Sequence, residues 1–110
     1  MAVMSWQARQ TMQEELTAAI KAGDGPRIAV LRTTLAAIAN AEAVDPTGPT
    51  TPVGLLGDVE RRQLTDADIT AIFVDERDEL SSTAAHLHRL GQVGRAKELD
   101  AQATVLGEYL

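Results

Sequence analysis

The chain contains no cysteine, which removes disulfides, thiolate zinc sites and thiol nucleophiles from consideration. No run of apolar residues approaches the 18 or so that a membrane-crossing helix needs, and the opening MAVMSWQARQ has no basic stretch leading into an apolar one. A soluble, cytoplasmic protein without a signal peptide or membrane contact is therefore expected. Aromatic residues are scarce: Trp6, Phe73 and Tyr109 are the full set, too few to form a platform on which single-stranded bases stack. Positive charge is also in short supply, with 10 Lys and Arg against 16 Asp and Glu and a net charge of -6. That balance opposes broad attraction to phosphates, although a local basic patch can still bind RNA. Catalytic signatures are missing as well. The sequence has no G-x-S-x-G, no G-x-G-x-x-G, no glycine-rich loop ending in GK[ST] and no HExxH, so neither an autonomous active site nor a cofactor is expected.

What the chain does have is helical periodicity. Its 110 residues suffice for one domain with a core of its own, and apolar residues recur every three to four positions, with no run of strand-like alternation. Four helices are expected, over 5–22, 26–43, 66–90 and 93–109. Ser5 suits the first N-cap, Met12, Leu16, Ala19 and Ile20 share a side, and Gly23 stops the helix. Asp24 suits the second N-cap and Pro26 its first turn, so KAGDGP reads as a tight joint between antiparallel helices. Ile28, Leu31, Leu35 and Ile38 follow as its apolar stripe.

Pro46, Gly48, Pro49, Pro52, Gly54 and Gly57 then break any helix across 44–64, and a long mobile loop is expected there. Thr65 with Asp68 three residues on resembles a capping box for the third helix. Its stripe runs Ile69, Ile72, Phe73, Leu80, Ala84, Leu87 and Leu90 up to Gly91, and the fourth helix offers Ala96, Leu99, Ala103, Leu106 and Leu110. The expected fold is all-α: a small antiparallel bundle of about four helices with one long Pro/Gly-rich loop.

Charge placement then selects candidates. Glu76 falls inside the apolar stripe of the third helix, where an unpaired carboxylate is costly. Arg32 lies at the edge of the second helix's stripe, so a structural ion pair between Arg32 and Glu76 is expected to fix how the two helices dock. The competing role for Glu76 is that of a general acid or base. His86 and His88 are two apart and point to different sides, unlike an i, i+4 metal pair; no metal is expected. Asp75, Asp78 and Glu79 read as a solvated acidic face. Arg61 and Arg62, ahead of the third helix, and Arg95 and Lys97, opening the fourth, are the candidates for phosphate or RNA contact. Arg27 joins them, being open either to a local acid or to a ligand phosphate.

Taken together, KAGDGPRIAVLRTTLAAIANAEAV, QLTDADITAIFVDERDEL and LGQVGRAKELDAQATVLGEYL resemble the GatB/YqeY family. The shared features are Asp24 in a small-residue turn, Arg27, Arg32, the run Leu35, Ala37, Ile38, Asn40 and Glu42, the opening Leu64-Thr65-Asp66, and the closing Tyr109-Leu110. The family often carries an Arg one turn after the helix-three Glu, where this chain has Leu80, and a Gly-Arg before the last helix, where it has Gly91-Gln92. It also commonly continues past its Tyr-Leu pair into a second, smaller helical subdomain, so only the first subdomain is expected here.

The resemblance implies a YqeY-like helical domain related to the tRNA-contacting tail of the GatB component of the glutamine-dependent aspartyl/glutamyl-tRNA amidotransferase. The carbon-nitrogen ligase activity, with glutamine as amide donor, would belong to a larger assembly. Expected partners are tRNA or such an assembly. The alternative is a protein-protein interaction module that binds a protein partner or itself, through Val53, Leu55 and Leu56 or through uncovered helix surface, with no nucleic-acid role.

Overall fold

The computed structural model describes residues 5–43 and 64–110, with side chains from residue 7 onward. Among the described residues four helices follow in order: α1 (Ser5–Ala22), α2 (Gly25–Glu42), α3 (Asp66–Arg89) and α4 (Val93–Gly107). Helix α2 is central, packing against all three others, while α3 and α4 form the most extensive pair. The result is an elongated all-α bundle of 50 × 30 × 26 Å.

Both tight joints are built on a glycine. At the end of α1, Gly23 N–H donates to the Ile20 carbonyl and Asp24 N–H to the Ala19 carbonyl; at the end of α3, Gly91 N–H reaches His88 and Gln92 N–H reaches Leu87. This pair of backbone bonds is the Schellman closure, which needs a residue in the left-handed region. Gly23 and Gly91 supply it, at φ +70° and +79°. Helices α2 and α3 are capped as their sequences suggest. Asp24 accepts from Arg27 N–H at 3.3 Å, and Thr65 and Asp68 exchange the two bonds of a capping box, at 3.1 and 2.9 Å.

The core gathers Ala8, Met12, Val30, Leu31, Ile38, Leu64, Ile69, Phe73, Val105 and Leu106. Three expectations need correction. Ile20 is half exposed and Leu90 mostly so; Leu90 is the C-cap of α3, still in helical conformation, immediately before the turn at Gly91. Leu64, assigned to the loop by its neighbours' composition, is a core residue. The buried face of α2 is centred on Val30, Leu31, Thr34 and Ile38, whereas Ile28 and Leu35 flank it half-buried. The expected long loop and its Val53, Leu55 and Leu56 lie outside the described residues.

Candidate functional site

Arg27 stands in the first turn of α2, where the core gives way to solvent. Three segments of the chain bring carboxylates to it. Its Nη2 donates to both oxygens of Glu108, just past α4, at 3.3 and 3.2 Å. Its Nη1 lies 3.5 Å from Glu15 of α1, and its Nε lies 3.5 Å from its own N-cap, Asp24. Burial lowers the affinity of Arg27 for its proton, but the bond to Glu108 and the charges of Glu108, Asp24 and Glu15 outweigh this and raise its pKa.

Tyr109 completes the hub. Its hydroxyl donates to Glu15, and its ring stands edge-on to Phe73 at 5.4 Å between centroids. Burial, then the bond to Glu15, push the phenol far above its ordinary range, so it stays a neutral donor. One guanidinium thus links α1, the first joint, α2 and the end of the chain. Chemically this arrangement is a clamp. It joins three carboxylates to one cation, so a phosphate would meet net negative charge there. Of the two roles open to Arg27, the local acids fill the first, and Arg27 leaves the set of phosphate contacts.

The Arg32–Glu76 ion pair does not form. Arg32 is exposed because it lies about 145° around α2 from the centre of the buried face, too far for its edge position to turn inward. Glu76 does face the apolar side of α3 and is half-buried. Burial, then the neighbouring charges of Glu79 and Asp75, raise its pKa. The adjacent Arg77 pairs with Asp78 at 3.5 Å instead.

The chain matches no family model, no curated protein and no solved structure.

Arg95 and Lys97 are exposed on α4, and Arg95 Nη1 donates to Glu98 at 2.9 Å. Arg95, Glu98 and Gln102 face Gly25, Pro26 and Ala29 across an open groove of about 220 Å³. Arg61 and Arg62 lie outside the described residues. His88 Nε2 is 3.0 Å from Asp100 across the α3–α4 hairpin, while His86 is exposed. Among the described residues no group of three His, Asp or Glu is arranged to hold a metal.

Sequence reasoning did not find Glu15 and Glu108 at all. Glu15 precedes the tyrosine that it binds by 94 residues, and nothing local in either acid marks it. The available signals were the pairing of an N-cap acid with an arginine three residues on, and the terminal Tyr109 that already belonged to the resemblance.

Proposed function

We propose that this chain is a non-catalytic, YqeY-like helical module that acts by binding, as an accessory to tRNA-dependent amidotransferase chemistry carried out by other proteins. The observation that supports this reading most is the hub itself. Asp24, Arg27 and Tyr109, three of the residues on which the GatB/YqeY resemblance rests, meet at one junction and hold the helices together. These three positions then share one physical reason, which is maintenance of the fold. The contact with tRNA is assigned to Arg95 and Lys97 at the exposed start of α4, together with Arg61 and Arg62.

Titration of the chain with bulk tRNA at two salt concentrations tests this reading. If at least two cations meet phosphates, affinity should fall about tenfold between 50 and 200 mM salt. No association at the lower salt concentration would remove the tRNA contact from the proposal.

A second reading, a protein-binding module, is favoured by a separate observation: Leu90 and Val93, on either side of the α3–α4 joint, are both exposed.

A further inference from the structure

The stretch from Leu80 to Lys97 contains no Asp or Glu, although acids outnumber bases in the chain as a whole. His86, His88, Arg89, Arg95 and Lys97 all fall within it. Folding turns this stretch into the tip of the α3–α4 hairpin and presents two large apolar side chains there, Leu90 at 62% exposure and Val93 at 46%. Only Ile20, on α1, is comparably exposed among the large apolar residues described.

The exposure is not required by the turn. Its backbone bonds are closed by Gly91 and Gln92 onto His88 and Leu87, and these would form with polar residues at 90 and 93. The joint is also short, running from Arg89 at the end of α3 to Val93 at the start of α4, and leaves little chain to order on binding. A preorganised apolar pair loses less entropy on docking than a flexible one.

We propose that the α3–α4 tip is a docking surface for an acidic segment of a partner protein, one that places apolar side chains on Leu90 and Val93 and carboxylates near Arg89 and Lys97. Charge selects the partner's sign, since every formal charge on this stretch is positive. The apolar pair and the absence of Phe, Tyr and Trp from the stretch select protein over nucleic acid. A phosphate backbone gains nothing from Leu90 and Val93, and bases find no Phe, Tyr or Trp there to stack on. Acids just beyond the stretch, Asp78 and Glu79 on α3 and Glu98 and Asp100 on α4, are exposed and disfavour a broad anionic surface such as a lipid bilayer. The docking surface borders the tRNA contact proposed above and shares Lys97 with it, but it is centred on Leu90, Val93 and Arg89 and does not rest on that contact.

A fluorescent synthetic peptide with leucines along one helical face and glutamates elsewhere provides the probe. Saturable binding is expected, weakened about fivefold or more by Leu90→Ser with Val93→Ser, by Arg89→Glu, and by serine in place of the peptide's leucines. All of these side chains are exposed, and circular dichroism verifies that the variants fold. Four results overturn the proposal: no saturable binding, equal binding of the leucine-free peptide, indifference to the Leu90 and Val93 changes, or tighter binding of oligouridylate or phosphatidylserine vesicles than of the peptide. A loss of tRNA binding in Arg95→Glu that leaves peptide binding intact, with Leu90→Ser/Val93→Ser unaffected toward tRNA, keeps the two surfaces distinct.

Discussion

Thr34 is fully buried on α2, and its hydroxyl has no hydrogen-bond partner among the described residues. A buried hydroxyl without a partner loses its water and gains nothing in return. Thr34→Val keeps the shape and removes the hydroxyl, so it should stabilise the fold by about 1 kcal/mol. In urea denaturation this appears as a higher midpoint with an unchanged slope; a lower midpoint would show that the hydroxyl is bonded. Glu76 offers a second test of a single group. Because burial and the charges of Glu79 and Asp75 raise its pKa, the folded chain holds this proton more tightly than the unfolded chain does. The associated stability is complete below the ordinary carboxylate value of 4.5 and is lost as pH rises through the folded value. Glu76→Gln should therefore flatten the fall of stability with pH above that point and leave the variant more stable than the parent near neutrality. Denaturation curves recorded across that range check the prediction, and an unchanged pH slope would contradict it.

At the scale of the elements, the two glycines of the α3–α4 hairpin should behave in opposite ways. Neither would crowd its surroundings with an added methyl group, since nothing lies within 4 Å of a Cβ at Gly91 or Gly94. Only Gly91 has a positive φ, +79°, so Gly91→Ala should cost about 1 kcal/mol from backbone conformation alone. Gly94 lies inside α4, and Gly94→Ala should gain roughly 0.5 kcal/mol by restricting the unfolded chain. Thermal unfolding of the two variants should move in opposite directions; a shared direction would refute this reading of the joint.

These elements were legible because their signals are local. A glycine after an apolar run, Asp24 before Gly-Pro, and Thr65 with Asp68 each act within one turn of helix, so four helices could be drawn from residues alone. Positions on a helix face were less secure. Arg32 lay close enough to the apolar stripe to suggest a pair with Glu76, but the buried face of α2 is rotated toward Val30 and Thr34, which carries Arg32 outward. The Arg27 hub was the least legible feature, because its partners Glu15 and Glu108 come from opposite ends of the chain and depend on how two hairpins dock.

For the whole molecule, charge and architecture separate into different regions. Arg27, Glu15, Asp24, Glu108 and Tyr109 tie the end of the chain to the first hairpin, while Arg95 and Lys97 stand exposed on α4. If the hub is architecture and binding belongs to the exposed cations, the two sets of variants must fail in different assays. Arg27→Gln leaves three carboxylates facing each other and should cost about 1–2 kcal/mol, the range for charged hydrogen bonds reduced for partial exposure. The exposed pair should change stability by no more than about 0.5 kcal/mol. The most direct measurement is therefore a parallel one, thermal stability and tRNA affinity for Arg27→Gln and for Arg95→Glu with Lys97→Glu, made at low salt where all variants are folded. The predicted result is a less stable Arg27 variant that still binds tRNA as the parent does, and an equally stable Arg95/Lys97 variant whose affinity falls about tenfold. A stable Arg27 variant that no longer binds tRNA would contradict this division and make the hub the binding site.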